Sequence, residues 1–386
     1  MKSLRTMDDI VWRPGLRVLI RIDADVAMQG GRISEDFRIR QALPTIRAAL
    51  RHKAHIRIIS HRDRPKGVPS DVLSQRRVCL YLSRLLKKKM AFVKNPFDKD
   101  TLQKLNESAD ILFFENIRFW KGEEENDIPF ARDLAHWADI YVNDAFANCH
   151  RKHASVLAIT STLPSYAGIN LAKEVATLER VLTNPARPLI AILGGAKLET
   201  KVPLIKQFLA LADHVLIGGA IANTLIAALG YEVGKSLVDK EKKDAAQFLL
   251  NKKLHIPSDV VVTKNLSRSS SIRACAISGV APDEYIVDIG PQTLKTFSSL
   301  LAVSGMVVWN GPMGFAEVPL FAKGTIYLAN AVRRAHAFKI LGGGDTIALL
   351  RAYRALRGFT YVSTGGGAML EFLSGKKLAS LEALKK

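Results

Sequence analysis

Short runs of apolar, often β-branched residues recur along this 386-residue chain, and between them the apolar positions fall into helical spacing. The runs lie at 17–22, 56–60, 111–114, 140–142, 189–193, 214–217, 260–263, 306–309, 338–341 and 360–363. They are apolar throughout rather than alternating, so each reads as a strand buried on both faces. Strands of that kind interleaved with helices predict Rossmann-like α/β domains, each a parallel sheet with helices on both faces. The stretch 214–231 carries no formal charge and imitates a membrane span, yet Gly218-Gly219 and Asn223-Thr224 interrupt it. It reads as a strand at 214–217 turning into a packed helix.

The length suits two domains better than one core. The boundary is expected near 164–168, so that 1–168 forms a first domain. A helical run at 170–182 then serves as connector within a hinge at 169–182. Thr183-Asn184-Pro185 ends that run and opens a second domain over 183–369.

Composition adds exclusions. Three cysteines are an odd number without CxxC spacing, which argues for a reducing compartment and against a disulfide framework or a zinc site. The first residues hold no apolar h-region before the acidic pair Asp8-Asp9, so no signal peptide is expected and the cytoplasm is the expected location. The net charge of +20 is spread over both halves, and no basic motif is interleaved with aromatics. The charge favours anionic partners without saying which, and neither a nucleic acid nor a membrane is expected as the working partner.

Ligands of open parallel sheets bind outside the carboxyl ends of the strands, and the unusual residues stand there. In the first half these are Asp23-Ala24-Asp25, His61-Arg62-Asp63-Arg64, Glu115-Asn116-Ile117-Arg118, and Asn143-Asp144 leading to His150-Arg151. The second half has glycine at the same places: Gly194-Gly195, Gly218-Gly219, Asn310 to Gly314, Gly342 to Thr346, and Gly365 to Gly367. A single glycine in such a turn is ordinary packing; five clusters suggest backbone approaching phosphates. After Gly194-Gly195, Lys197 and Lys201 are four apart and expected on one face of a helix. An ordinary βα turn with two solvated lysines is the competing interpretation of that stretch alone.

Other features carry less. Gly230 to Ser236 imitates a P-loop, but has three residues between its glycines and follows a helical pattern. His150 with His153, and His52 with His55, lack a third ligand and suit surface or capping roles. Lys87-Lys88-Lys89 reads as a solvated helix end and Glu123-Glu124-Glu125 as a charged loop. An arginine-rich basin without a nucleophile–base pair, joined to a glycine-rich site with lysines, fits phosphoryl transfer between an acid and a nucleotide. A carboxylate acceptor needs no deprotonation, so positioning and charge stabilisation suffice.

These residues resemble the phosphoglycerate kinase family over essentially the whole chain. The matching stretches are RIDADV from Arg21, EDFRIRQALPTI from Glu35, SHRDRPKG from Ser60, ENIRFWKGEEEND from Glu115 and YVNDAFANCHRKHAS from Tyr141. LGGAKLETK from Leu193, GKSLV from Gly234, DIGPQT from Asp288, VWNGPMGFAE from Val308, GGGDT from Gly342 and STGGGA from Ser363 complete them in family order. The resemblance implies a kinase that moves a phosphoryl group reversibly between 1,3-bisphosphoglycerate and ADP, with Mg2+, by closure of two domains. Asp23, Asp25, Arg38, His61, Arg64, Arg118 and Arg151 would hold 3-phosphoglycerate. Arg38 would also face the transferring group, and Lys201 would stay with it through the transition state. Lys197, Gly218, Asn310, Gly343, Gly344 and Thr346 would meet the nucleotide's phosphates, Glu317 its ribose, and Asp345 the magnesium. The resemblance also implies that 370–386 returns to the first domain, and a monomer is expected.

Departures from the family pattern gather in the first half. Asp25-Val26-Ala27 replaces asparagine followed by valine-proline, Arg62-Asp63 replaces leucine-glycine, and Ala147-Asn148-Cys149 replaces glycine-threonine-alanine; in the second half Glu199-Thr200 replaces serine-aspartate. A carboxylate at Asp25 would face an anionic substrate, and like charges about 4 Å apart repel by roughly 4 kcal/mol at an effective dielectric near 20. Arg62 would offset that charge if it folds inward. The rival expectations are a kinase-like protein that keeps nucleotide but has altered acid specificity, and a basic α/β protein acting on nucleic acid.

Overall fold

The computed structural model describes residues 3–98, 109–239, 251–267 and 271–386. Contacts divide the chain into one unit of Met1–Ala176 with Lys377–Lys386 and a second of Thr177–Lys376.

The first unit is built on six parallel strands, β1 (Arg17–Ile22), β2 (His55–Ile59), β3 (Ala91–Val93), β4 (Ile111–Phe114), β5 (Ile140–Asp144) and β6 (Ser165–Ala167), in the order β3-β4-β2-β1-β5-β6. Val18, Ile20 and Ile22 of β1 pack with Ile39, Leu43 and Ile46 of α1 (Phe37–Arg51) and Val78 and Leu82 of α2 (Arg76–Leu86). Leu19 lies on the opposite face with Ile59, Phe114, Tyr141 and Leu134 of α3 (Ile128–Ala135). Both faces being covered is why the strand runs are apolar at every position, each buried aliphatic or aromatic side chain contributing about 1.5–3 kcal/mol. Arg21 of β1 is buried all the same, as are Arg57 of β2 and Asn143 and Asp144 of β5.

Helix α4 (Ile169–Thr183) contains the point where the contacts divide, between Ala176 and Thr177. Two of its orphan N–H groups are capped: Ile169 N donates to Thr45 Oγ1 (2.9 Å) and Leu171 N to Asp144 Oδ1 (3.0 Å). Asp144 comes so close that a Cβ on Gly168 would stand 2.4 Å from its Oδ1, so glycine is required there. At the far end of the chain Leu378, Leu381 and Leu384 are buried, Arg5 N donates to Leu384 O (2.7 Å), and Ser380 Oγ donates to Cys149 O (2.8 Å).

The second unit opens with β7 (Leu189–Leu193), α5 (Val202–Leu211), β8 (His214–Ile217), α6 (Gly219–Ala228), β9 (Leu254–His255), β10 (Asp259–Thr263), β11 (Arg273–Ala276) and β12 (Tyr285–Ile289). It continues through α7 (Pro291–Ala302), β13 (Met306–Asn310), α8 (Lys323–Arg334), β14 (Phe338–Gly342), α9 (Gly344–Ala352) and β15 (Tyr361–Val362). The main sheet is parallel, ordered β9-β8-β7-β13-β14-β15, so chain direction across it reverses between β7 and β13. The run expected at 260–263 as a parallel-sheet strand instead joins a separate antiparallel sheet, β11-β10-β12. Its valines suit any sheet, and an apolar run does not encode strand direction. The uncharged stretch 214–231 divides into β8 and α6, and among the described residues no helix is long and apolar enough to cross a membrane.

Candidate functional site

In the first unit the organising residue is Arg21, which motif reading passed over although a charge inside an apolar strand was the visible signal. Its Nε donates to Ser155 Oγ (3.0 Å), Nη1 to the Ile22 carbonyl, and Nη2 to His61 Nδ1 (2.9 Å). Ser155 passes the network on, its N and Oγ each donating to Glu123 at 2.8 Å. Glu123, expected in a charged loop, is therefore fully buried within the short helix Lys121–Glu124. Burial raises its carboxyl above the ordinary range against the pull of Arg21. His153, expected at the surface, is buried 3.8 Å from Glu123, and burial together with Arg118 and Arg151 lowers its ring to about 3.

His61 is the next link. A guanidinium only donates, so Nδ1 accepts and the ring proton sits on Nε2. Burial, then Arg21, Arg118, Arg151 and Arg38, holds this imidazole well below its usual pKa, hence neutral. Its Nε2 stands 3.7 Å from Asp25 Oδ2, while Asp25 Oδ1 accepts from Asp63 N (3.0 Å). Asp63 holds a left-handed φ of 54°. Arg38 Nη1 pairs with Asp23 at 3.2 Å. Burial raises the Asp23 carboxyl even against Arg38, and Asp23 in turn raises the Arg38 guanidinium.

Arg118 is almost fully buried, with Nη1 donating to Asp63 O (2.7 Å) and Nη2 without a hydrogen-bond acceptor among the described residues. Burial, with Arg21 and Arg151 nearby, lowers its pKa to about 10, so it stays charged at neutral pH. The structure thus brings Asp23, Asp25, Arg38, His61, Arg118 and Arg151 into one electrostatic neighbourhood, while Arg64 stands exposed on the adjoining turn. Arg62 does not fold onto Asp25: its Nη1 donates to Val72 O (2.7 Å), and among the described residues the two form no ion pair.

In the second unit the expected site surrounds the reversal between β7 and β13, where a crevice forms outside the strand ends. The two following loops touch through backbone: Gly194 N donates to Asn310 O (2.9 Å) and Gly195 N to Pro312 O (3.0 Å). A Cβ on Gly194 would lie 2.0 Å from Pro312 O, so glycine alone fits. Gly218 is the N-cap of α6, and Gly343, at φ 95°, that of α9. Thr346 Oγ1 accepts from Gly311 N (3.0 Å), tying the third loop to the second.

Lys197 and Lys201 do not share a helix face. The segment between Gly195 and Lys201 is turn, and α5 starts only at Val202 with Pro203 in its first turn. Lys197 is consequently exposed, whereas Lys201 is buried, Nζ donating to Asn310 Oδ1. Burial lowers Lys201 to about 8, and Asp345 counters it in part. Asn310 Nδ2 is buried without a hydrogen-bond partner among the described residues. Gly344 and Asp345 are exposed in the first turn of α9, and Glu317 is exposed after β13.

Beside these loops lies a cavity of about 360 Å³ lined by Gly195, Gly219, Asp345, Val287, Phe315 and Glu317, among others. The antiparallel sheet supplies its apolar wall through Val260, Ile286 and Val287, none of which motif reading singled out. Among the described residues no three His, Cys, Asp or Glu side chains are grouped to hold a metal.

A family model described as Phosphoglycerate kinase matches residues 7–376. Curated relatives named phosphoglycerate kinase include that of Thermomicrobium roseum, 41% identical over 377 residues, covering 95% of this chain and 96% of the relative. That of Zymomonas mobilis is 39% identical over 396 residues, covering 99% and 100%. Among solved structures, phosphoglycerate kinase from Coxiella burnetii aligns with a TM-score of 0.88 at 38% identity, covering 99% of both chains. Phosphoglycerate kinase from Pyrococcus horikoshii aligns at 0.86 and 29% identity, covering 99% and 98%.

Proposed function

The chain belongs to the phosphoglycerate kinase family, and from that premise we propose how its own residues carry the reaction. The activity is the glycolytic phosphoryl transfer between 1,3-bisphosphoglycerate and ADP, giving 3-phosphoglycerate and ATP. Toward ATP, a β-phosphate oxygen of ADP attacks phosphorus, the acyl P–O bond breaks, and the carboxylate leaves with the bond's electron pair. No proton changes hands, which suits sites without a general base.

The observation that carries the assignment of residues is a buried donor left over in each unit, Arg118 Nη2 and Asn310 Nδ2. Buried donors in folded proteins are almost always satisfied, so each is open to an acceptor oxygen of a ligand. In the first unit Asp23 orients Arg38, His61 offers its Nε2–H, and Arg64, Arg118 and Arg151 bind the acid's phosphate and carboxylate. Asp25 adjoins them. In the second unit Lys201 accompanies the moving phosphoryl group and Lys197 approaches the nucleotide's phosphates. Gly343, Gly344 and Thr346 offer donors at a helix start, and Gly218, whose own N–H donates to Leu193 O at 3.1 Å, stands beside the phosphates at the start of α6. Glu317 meets the ribose. Arg38 and Lys201 stabilise charge on the transferring group, with Gly343 and Gly344, each such donor supplying a factor on the order of 10²–10³.

Magnesium would supply charge neutralisation on the phosphates. A single exposed carboxylate, Asp345, fits an ion that keeps its waters and arrives mainly on the nucleotide. Because the acid and nucleotide residues belong to different units, transfer further requires closure. We also propose a cytoplasmic monomer, for which sedimentation at working concentration is the check on oligomeric state. A coupled assay with MgATP and 3-phosphoglycerate, with calorimetry of each ligand, tests the whole proposal. MgADP binding without 3-phosphoglycerate binding would overturn the assignment of the first unit.

A further inference from the structure

Resting on the assignment of the first-unit basin to the acid substrate, we propose that Asp25 is a positioning residue for the turn His61–Arg64 rather than a direct substrate contact. Its two carboxylate oxygens face that turn from one side. Oδ1 accepts the Asp63 N–H at 3.0 Å, and Oδ2 stands 3.7 Å from His61 Nε2. His61 cannot turn its proton away, because Nδ1 already accepts from Arg21. The bond to the turn is therefore made by Oδ1, while Oδ2 lies near the His61 N–H but beyond hydrogen-bond distance, leaving that N–H free for the acid.

The turn needs holding. Asp63 sits at φ 54°, a left-handed conformation that glycine takes freely and an aspartate only at a cost. The flanking groups lock the same residue from the other side: Arg118 Nη1 donates to Asp63 O at 2.7 Å, and Arg64 N donates to Asp63 Oδ1 at 2.9 Å. Asp63 is thus gripped at its N–H by Asp25 and at its carbonyl by Arg118, with His61 and Arg64 on either side. Asp25 and Asp63, two departures from the family pattern, form one device. The negative charge at position 25 is directed into the turn instead of toward the anion.

The test is steady-state kinetics with 3-phosphoglycerate for Asp25→Ala, Asp25→Asn, Asp63→Gly and the Asp25→Ala/Asp63→Gly double variant, with calorimetry of 3-phosphoglycerate. Loss of one clamping hydrogen bond is expected to raise KM about ten-fold in Asp25→Ala, with the change in KM rather than kcat. Asp25→Asn keeps one acceptor and is expected to raise KM less. The double variant, with glycine free to hold the left-handed turn, is expected to recover most of the lost affinity. A fall in KM in both single Asp25 variants would mean that Asp25 merely repels the substrate, and a double variant as weak as Asp25→Ala would remove the clamp; either overturns the proposal. Wild-type protein that fails to bind 3-phosphoglycerate at all would instead remove the basin assignment beneath it.

Discussion

Raising the pH from 7 to 9 should silence Lys201 in the free protein while leaving it charged once substrate is bound. Lys201 is buried, donates to Asn310 and has its pKa lowered to about 8. If its ammonium is needed, the active fraction falls from about nine-tenths at pH 7 to about one-tenth at pH 9, so kcat/KM for MgADP should drop roughly ten-fold. A phosphoryl charge about 4 Å from Nζ contributes roughly 4 kcal/mol at an effective dielectric of 20, worth about three pKa units. The alkaline limb of kcat, which reports the bound state, is therefore expected above about pH 10. Arginine does not titrate in this range, so Lys201→Arg should flatten the kcat/KM profile whatever its absolute rate. A wild-type kcat/KM that holds level to pH 9, or an arginine variant with the same limb, would refute the reasoning.

Further outcomes are expected. Lys201→Ala should cut kcat by about 10²–10³, read in the coupled assay, the scale for losing one charge-stabilising donor; near-normal turnover would relocate the centre of the mechanism. Glu123→Ala should cost about 1–3 kcal/mol in urea unfolding, because it leaves the buried Ser155 N–H and Oγ–H without their acceptor and removes a carboxyl beside Arg21; a loss below about 0.5 kcal/mol would contradict that network. Burial raises Asp144 from 3.8 to about 7, so the folded state holds a proton that the unfolded chain releases. Stability should accordingly fall as pH climbs from about 4 to 7, by up to about 1.4 kcal/mol per unit from this group. Asp144→Asn keeps an acceptor for Leu171 and should flatten that share of the slope; an unchanged slope would assign it to other groups.

Much of this was legible in the chain because buried strands and the residues at their carboxyl ends leave a strong trace. β1, β4, β7 and β8 lie where their apolar runs do; Asp23, His61 and Arg118 follow strand ends, and Asn310 closes β13. Direction was not legible: 260–263 is as β-branched as any parallel strand yet pairs antiparallel, and its partner β11 is mostly exposed and so lacks an apolar signature. Helical spacing also misled at Lys197 and Lys201, where turns after Gly195 delay the helix to Val202. Long-range satisfaction was the least visible of all. Nothing local in three successive glutamates says that Glu123 alone will be buried, because its partner Ser155, and Arg21 bonded to Ser155 in turn, are far away in sequence.

The antiparallel bridge between Leu4 and Lys385, and the hydrogen bond from Lys386 N to Ser3 O, have a consequence for biosynthesis. The whole of Thr177–Lys376 leaves the ribosome before Lys377–Lys386, the segment that completes the other unit. The second unit can therefore mature while the first still lacks its closing strip, with the groove that receives Leu378, Leu381 and Leu384 open to chaperones. An arrest-peptide force profile should show a late pulling event as those leucines emerge, and a chain with all three changed to serine should lack it.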